Sequence, residues 1–321
     1  MTAIAVEHLV KRYGGFTAVE DVSFDVPPGE LVALLGPNGA GKTTIIEILE
    51  GFLAPSGGLV RVLGEDPRRG SRAWRARVGL VLQTTSLDLQ LTVTEALRLF
   101  AGLFTRPRPV GEMLEVIDLT ADAGTRIGAL SGGQRRRVDL GLAIIGRPEM
   151  LFLDEPTTGL DPEARRRLWA VVDNLTAIGG TVLLTTHYIE EAQRLADRVI
   201  VLSGGRVIAD ATPDELRVRG AAPVIRYRLP GGVSADDLPP DLAGHLDPER
   251  GELSVPSADV TGDLETLVRW ARRHRVDLTG LEVGPPSLED AYLALTSDSD
   301  TTVLAPGGDP RSSPQGEVPV R

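Results

Sequence analysis

The segment GPNGAGKT, residues 36–43, limits the possible folds of this chain more than any other stretch. It follows LVALL (31–35), a continuous apolar run that is typical of a strand covered on both faces. After it, apolar side chains recur at the spacing of a buried helical face: Ile45, Ile48, Leu49 and Phe52. A glycine-rich loop between a strand and a helix predicts backbone N–H groups directed at phosphate oxygens, beside the positive end of a helix dipole.

This loop predicts both a nucleotide site and a metal site. Lys42 would neutralise the β and γ phosphates of ATP, and the Thr43 hydroxyl would ligate Mg²⁺. The alternative is an ordinary glycine turn, but a Lys-Thr pair at the start of the helix argues against it. The residues expected to contact nucleotide are Gly36, Pro37, Asn38, Gly39, Ala40, Gly41, Lys42, Thr43 and Thr44.

Two further apolar runs, MLFLD (150–154) and TVLLTT (181–186), predict buried strands separated by a helical segment. Alternating strands and helices indicate an α/β fold with a mostly parallel sheet covered by helices. Asp154 and Glu155 end the first run, at the strand end where such sheets bind ligands. Asp154 would hold Mg²⁺ through water, and Glu155 would orient or polarise an attacking water. A solvated acidic turn is the alternative.

The stretch LSGGQRRRVDLGLA, residues 130–143, opens a predicted helix. Ser131 and Gln134 have the spacing of a capping box, which stabilises a helix start. That box does not require Gly132 and Gly133, which weaken a helix relative to alanine. The glycine pair therefore predicts close approach of an anion to the backbone. Arg135, Arg136 and Arg137 are expected to form a solvated face, with Val138, Leu142 and Ile145 on the buried one.

Taken together and in this order, these motifs resemble those of ATP-binding-cassette (ABC) transporter ATP-binding subunits. GPNGAGKT is similar to the Walker A loop, LFLDE to Walker B and LSGGQ to the signature of that family. The resemblance covers residues 3–220. It implies an ABC ATPase core over residues 1–220, with an antiparallel β subdomain and a helical insertion at about 84–147.

Four more residues gain roles from this resemblance. Gln83 matches the Q-loop glutamine, a catalytic and metal-binding position, and Asp161 the D-loop aspartate. His187 matches the switch histidine, and Tyr13 falls where the family stacks an aromatic ring on adenine. Each has a structural alternative: a polar strand end for Gln83, a helix N-cap for Asp161, a structural histidine for His187 and a core aromatic for Tyr13.

The resemblance also implies an oligomer. In this family two cassettes pair head to tail, so Ser131, Gly132, Gly133 and Gln134 would contact the γ-phosphate held by a second chain. One motif set per chain predicts a dimer, most simply a homodimer, with a heterodimer left open. ATP binding would close the dimer, and Gln83 with the helical insertion would transmit the motion to an integral-membrane permease. The chain would then lie at the cytoplasmic face of the membrane.

Composition restricts the other classes of function. The net charge of −11 argues against nucleic-acid binding, and the lack of cysteine excludes disulfides and thiol chemistry. The longest apolar runs fall short of the ~18 residues typical of a membrane span. We therefore expect a soluble chain whose membrane role depends on a partner.

The C-terminal part predicts a small α+β domain over 221–297 and a disordered tail over 298–321. PPSLEDAYLALT, residues 285–296, resembles the end of daunorubicin-resistance-type ATPases of bacterial type-2 exporters. Gln134 departs from members of that group that have methionine there. A generic amphipathic helix is the alternative for residues 285–296. The role of this C-terminal segment would be either dimer stabilisation or docking to the membrane partner. An importer subunit, a soluble ABC ATPase and a non-catalytic regulator remain alternative functions, and the substrate stays open.

Overall fold

Strands and helices alternate along most of the chain. The computed structural model describes residues 2–82, 88–177, 179–218, 222–230, 237–247 and 251–300. The strands are β1 (Ile4–Tyr13), β2 (Phe16–Val26), β3 (Leu31–Leu35), β4 (Gly57–Val62), β5 (Val78–Val81), β6 (Met150–Asp154), β7 (Thr181–Thr186), β8 (Arg198–Ser203), β9 (Arg206–Ala211), β10 (Val224–Arg228), β11 (Leu246–Asp247), β12 (Glu252–Pro256) and β13 (Glu282–Gly284). The α-helices are α1 (Lys42–Leu49), α2 (Arg72–Arg75), α3 (Val93–Ala101), α4 (Val110–Val116), α5 (Gly132–Ile144), α6 (Pro162–Ala177), α7 (Ile189–Leu195), α8 (Pro213–Val218), α9 (Pro240–Ala243), α10 (Val260–His274) and α11 (Leu288–Asp300).

A six-stranded sheet in the order β5-β6-β7-β3-β8-β9 forms the centre. Its first five strands are parallel, and β9 pairs antiparallel with β8 through a hairpin at Ser203-Gly204-Gly205. The strands β3, β6 and β7 are buried along their whole length, as their apolar runs predict. Because these three are parallel neighbours, their C-terminal ends meet at one edge, the usual ligand-binding edge of such a sheet.

Two hydrophobic cores lie on the two faces of this sheet. Successive residues of β6 alternate between them, because side chains of a strand point to opposite faces. Leu151 and Leu153 belong to the core shared with the helices α3–α6, whereas Met150 and Phe152 belong to the core shared with α1 and a second sheet. This second core includes most of the α1 residues predicted to be buried.

Phe52 was expected on that buried face but is 65% exposed, so the prediction is wrong at this residue. The helix α1 ends at Leu49, and Gly51 follows in the left-handed conformation with φ 85°. A left-handed glycine redirects the chain at a helix end. The spacing rule therefore no longer applies at position 52.

The second sheet is antiparallel, in the order β2-β1-β4. In β2, Val22, Phe24 and Val26 are buried while Ser23 and Asp25 are exposed, the alternation typical of a strand with one buried face. Ala18 and Val19 of β2 approach Gly41 at the start of α1. This sheet therefore lies beside the glycine-rich loop.

Residues 93–144 are mainly helical, as expected of the insertion. The helix α3 begins with a capping box formed by Thr92 and Glu95. The helix α5 packs Val138, Leu142 and its C-cap residue Ile145 into the first core. This confirms the buried face predicted for the helix. Residues 83–87, which include Gln83, lie outside the described residues.

The C-terminal part has its own sheet, in the order β11-β12-β10-β13, and its own core. Leu253, Leu267 and Trp270 are among the side chains that fill this core between the sheet and α10. In α10, Arg269, Arg272 and Arg273 face solvent. The segment for which we expect α+β structure therefore combines strands and helices around a packed core of its own.

The last helix, α11, packs on the first part of the chain. Leu288, Tyr292 and Leu295 contact a cluster formed by β3, β8, β9, α7 and α8. At its start Ser287 and Asp290 cap each other, and Asp290 accepts a hydrogen bond from Arg226 of β10 at 2.5 Å. The amphipathic face of residues 285–296 is thus covered by this chain itself.

The helix α11 continues to Asp300, three residues into the segment for which we predict a disordered tail. Serine and aspartate have modest helix propensity, but extending an existing helix costs much less than nucleating one. The tail prediction is wrong for 298–300, and residues 301–321 lie outside the described residues.

Glu50, at the end of α1, is a buried carboxyl group that the sequence did not single out. Its Oε1 accepts no hydrogen bond from any residue that the structure describes. Burial, reinforced by the charges of Asp154 and Glu47, raises its pKa from 4.5 to about 8. The folded protein thus keeps this carboxyl protonated at pH 7, whereas the unfolded chain ionises it above about pH 4.3.

Glu50→Gln should therefore stabilise the protein increasingly as the pH rises from 5 to 8. Between these values the folded state binds more protons at Glu50 than the unfolded state, so wild-type stability falls with pH and the glutamine variant escapes that loss. The difference should reach a few kcal/mol, about 2–4, near pH 8. Urea unfolding of both proteins at pH 5.5 and 8 measures it, with the exposed Glu7→Gln as control. An equal stability difference at both pH values would contradict the assignment.

Candidate ATP-hydrolysis site

The loop between β3 and α1 has the geometry of a phosphate cradle. Gly39 and Gly41 adopt left-handed conformations with φ 84° and 99°, which favour glycine. A Cβ on Gly36 would lie 2.5 Å from the carbonyl oxygen of Leu202, so only glycine fits there. Among the residues that the structure describes, no side chain caps the N-terminus of α1, which leaves its first amides available to an anion.

Lys42 lies under this loop and is 4% exposed. Its Nζ donates to the carbonyl oxygens of Gly36 at 2.8 Å and Pro37 at 3.1 Å, and lies 3.6 Å from Glu155 Oε1. Burial lowers the pKa of Lys42, and the charge of Glu155 opposes that change. The loop thus holds an ammonium group next to a carboxylate that the sequence places 113 residues away. Thr43 follows Lys42 and is exposed.

Asp154 ends β6 and is buried. Its Oδ1 accepts a hydrogen bond from Thr185 Oγ1 of the neighbouring strand β7 at 2.5 Å. Burial raises the pKa of Asp154, while this hydrogen bond opposes the rise. Thr185 was not predicted from the sequence, although its position one residue before the end of β7 is the available signal.

Glu155 follows in a left-handed conformation with φ 42°, unusual for a non-glycine residue. Its Oε2 lies 3.4 Å from His187 Nδ1 and accepts a hydrogen bond from Thr158. The structure therefore gathers Lys42, Asp154, Glu155 and His187 at the C-terminal edge of three adjacent strands. Strained backbone is common at functional sites, which fits this position.

The start of α5 has the predicted capping box. The Ser131 N–H donates to Gln134 Oε1 at 2.9 Å, and the Gln134 N–H donates to Ser131 Oγ at 3.2 Å. The two glycines differ in their surroundings. A Cβ on Gly132 would meet open space, whereas one on Gly133 would lie 2.7 Å from Ala164 Cβ of α6. Packing within the chain therefore gives one reason for the second glycine, whereas no such contact accounts for the first.

Asp161 lies beside this helix start. Its Oδ1 accepts the N–H groups of Glu163 and Ala164, so it is the predicted N-cap of α6. A cleft of about 300 Å³ is lined by Ser131, Gly133, Gln134, Arg137, Asp161, Glu163, Ala164 and Arg167. Within the described ranges, no hydrogen bond or ion pair joins this cleft to the Lys42–Glu155 cluster. The chain thus presents two separate halves.

Tyr13, at the end of β1, is 47% exposed, which excludes a core aromatic. The Nζ of Lys11 lies 4.9 Å from the centre of its ring. An exposed aromatic ring is consistent with stacking on a base. The contact with adenine remains a prediction.

The arginines of the signature helix differ from the prediction of a solvated face. Arg135 is exposed, but Arg136 and Arg137 are buried. Arg137 Nη1 pairs with Asp118 Oδ2 at 2.6 Å. Arg136 instead binds backbone carbonyl groups from two other segments. Local spacing failed here because the partners of both side chains lie far away in the sequence.

The chain matches two family models. The model described as ABC transporter matches residues 19–158, and one described as ABC transporter domain-containing protein-like, C-terminal domain, matches residues 223–287. The chain is 41% identical over 309 residues to the daunorubicin resistance ATP-binding protein DrrA3 of Streptomyces coeruleorubidus, covering 92% of this chain and 96% of that one. The chain belongs to the ATP-binding subunits of ABC transporters.

Other ABC proteins are also similar to this chain. The Nod factor export ATP-binding protein I of Paraburkholderia xenovorans is 40% identical, over 92% of this chain and 97% of its own length. A solved ATP-binding subunit of an ABC transporter superposes with a TM-score of 0.62 at 32% identity, covering 68% of this chain and 95% of that structure. An ATP-binding cassette in its ADP conformation gives 0.60 at 27% identity, over 67% and 92%.

These matches confirm the family, the α/β cassette fold and the ATPase activity predicted from the motifs. In the part of the chain that the structure describes, every helix is too short or too polar to span a bilayer.

Proposed function

We propose that this ABC ATPase powers a bacterial exporter through a separate integral-membrane permease, at the cytoplasmic face of the membrane. The relatives that support an export direction are named for daunorubicin resistance and Nod factor export. The single observation that carries the hydrolytic role is the position of Glu155 between Lys42 and His187. The cargo class stays open, with amphiphilic drug-like molecules among the candidates.

ATP binding is assigned to the loop between β3 and α1. The amides of residues 36–44 would receive the phosphates, and the Lys42 ammonium would exchange the carbonyl groups of Gly36 and Pro37 for phosphate oxygens. Tyr13 would stack on the adenine ring. The carbonyl–ammonium contacts keep Lys42 in place before nucleotide arrives.

The donor set fits Mg²⁺. The hydroxyl of Thr43 and the carboxylate of Asp154 are hard oxygen ligands, and Gln83 would add an amide oxygen. Among the described residues no cluster of three or more acidic, histidine or cysteine side chains could hold a metal alone. That agrees with Mg²⁺, which usually binds through one or two protein groups and the phosphates of its nucleotide. The bound ion would neutralise charge on the phosphate oxygens.

Hydrolysis is phosphoryl transfer to water. Glu155 would accept a proton as the water oxygen bonds to the γ-phosphorus and the bond to the ADP oxygen breaks, giving ADP and phosphate. His187, 3.4 Å from the carboxylate, would orient Glu155 and contact the transferred group. Catalysis of this kind depends on positioning and charge.

The second half of the site would come from a second copy of the chain. Ser131, Gly132, Gly133 and Gln134 form a helix start that no described contact links to the chain's own Lys42. Asp161 lines the same cleft and would lie at the dimer interface. Head-to-tail pairing of two copies completes two ATP sites, and Gln83 with the helical insertion would transmit closure to the permease.

Co-expression with a candidate permease tests this function. We expect the full chain to co-purify with the membrane protein, and its ATP hydrolysis to require Mg²⁺ and stop on chelation with EDTA. Addition of the transported compound to the complex in proteoliposomes should raise the hydrolysis rate. Failure of the chain to co-purify with any membrane protein would instead support a soluble ATPase.

A further inference from the structure

The guanidinium of Arg136 lies against the turn that carries the reacting residues. It is 9% exposed and donates from Nε to the carbonyl oxygen of Pro156 at 2.8 Å. Its Nη2 donates to the carbonyl oxygens of Asp154 at 3.0 Å and Glu155 at 3.4 Å. One side chain of α5 therefore holds three consecutive carbonyl groups of the segment after β6.

The same guanidinium also reaches a second strand. Its Nη1 donates to the carbonyl oxygen of Leu82 at 2.5 Å, at the point where the chain leaves β5. Arg136 thereby joins three segments: the helix α5, the end of β5 and the turn after β6. Gln83, assigned above to Mg²⁺ and to transmission, is the next residue after Leu82.

Carbonyl groups provide most of the compensation for this buried charge. The nearest carboxylate oxygen, Asp139 Oδ2, lies 3.9 Å from Arg136 Nη1. A planar guanidinium has five N–H donors in a fixed geometry, which allows it to bind several acceptors at once. A lysine ammonium at the same position is a compact group at the end of a flexible stem, so it would lose part of this set.

Glu155 depends on this support because its backbone is held at φ 42°, a sparsely populated conformation. Such conformations persist only where the surroundings determine them. Arg136 lies five residues after Ser131 on the same helix, about 7.5 Å along its axis. The helix start assigned to the partner's nucleotide is therefore mechanically connected to the backbone of Glu155.

We propose that Arg136 is a positioning residue for hydrolysis, which fixes the Asp154–Pro156 turn and the end of β5 to the signature helix. This inference rests on the proposed roles of Asp154 and Glu155. In the described part of the chain, the hydrogen bonds of Arg136 reach the backbone of Asp154 and Glu155, and none reaches the loop of residues 36–44. Loss of Arg136 should therefore slow the chemical step and leave nucleotide affinity intact.

Two variants of the full chain test it, Arg136→Lys and Arg136→Ala. We expect kcat to fall by about 10- to 100-fold in both, because displacements of about 1 Å at a reacting group have effects of this size. The dissociation constant of a fluorescent ATP analogue should stay within about twofold, because the loop of residues 36–44 is untouched. Guanidinium at low millimolar concentration should restore part of kcat in Arg136→Ala, and ethylammonium should not.

The outcomes separate this inference from the proposed function. Wild-type protein, Glu155→Gln and Arg194→Met, which removes an exposed ion pair with Asp173, are measured in parallel. If Glu155→Gln loses activity but the Arg136 variants keep kcat within twofold of wild type, the inference alone fails. It also fails if kcat and nucleotide affinity fall together and guanidinium restores nothing, since that indicates a purely structural role. If Arg136→Ala does not fold, the ratio of kcat to affinity in Arg136→Lys decides by the same criteria. Unchanged activity in Glu155→Gln overturns both.

Discussion

Replacement of Glu155 by glutamine is expected to lower the ATP hydrolysis rate by about 10²–10⁴-fold, the usual contribution of a general base. The side chain keeps its size and its acceptor oxygen for Thr158. It loses the negative charge that faces Lys42 at 3.6 Å and His187 at 3.4 Å. An amide cannot accept the proton of the attacking water at neutral pH, so turnover should nearly stop. Phosphate release measured at saturating ATP gives kcat directly.

Nucleotide binding should survive this change. The loop amides and Lys42 provide the phosphate contacts, and loss of a nearby negative charge favours an anionic ligand. The dissociation constant for ATP should therefore stay equal or fall. Glu149→Gln, which breaks an exposed pair with Arg77 at 2.7 Å, is a matched control and should hydrolyse ATP normally. Hydrolysis by Glu155→Gln within tenfold of wild type would remove Glu155 from the base role.

The sequence predicted those features that depend on short-range pattern. Continuous apolar runs identified β3, β6 and β7, because a strand that is buried on both faces has apolar residues at successive positions. The glycine-rich loop was equally predictable, since left-handed conformations at Gly39 and Gly41 favour one residue type. The capping residues Ser131 and Asp161 follow the same local rule.

Contacts between distant segments were not predictable. Arg136 resembles its neighbour Arg135 in the sequence, but its acceptors lie 18 to 54 residues away and belong to the backbone, which carries no residue-specific signal. The packing of Gly133 against Ala164, 31 residues later, was not predicted because no local feature of the sequence indicates that contact. Glu50 became notable only through its burial. Each of these required knowledge of which strands are neighbours.

Two of these findings change the meaning of the signature segment. Gly133 is required by packing against α6, and its backbone amide still lies in the helix start that we assign to the partner's nucleotide. Arg136 connects the same helix to Glu155. The segment is thus both a binding surface for one nucleotide and a support for the residue that acts on another.

Replacement of Ser131 by arginine should show which of these two nucleotides Ser131 contacts. A chain with Glu155→Gln should bind ATP and hydrolyse it very slowly. We therefore expect this variant to form a stable dimer on addition of ATP and Mg²⁺. Adding Ser131→Arg should prevent that dimer, with at least a 100-fold loss in association, because a large side chain would occupy the space in front of Gly132 that the partner's γ-phosphate needs. Light scattering after gel filtration measures the mass with and without ATP.

The isolated monomer should bind ATP as before, because Ser131 is exposed and makes no contact with Lys42 in the described part of the chain. Loss of the N-cap should lower stability by only about 1 kcal/mol. The variant Ser131→Ala loses the same cap without a larger side chain, so it measures how much of the loss in dimerisation comes from the cap. Thr261→Arg places an arginine at an exposed position near the start of α10 and should dimerise normally. Equal loss of monomer ATP binding in Ser131→Arg would place Ser131 at its own chain's nucleotide. Retained binding without dimerisation is the result that a head-to-tail pair requires, since only there does the signature of one chain meet the phosphate held by the other.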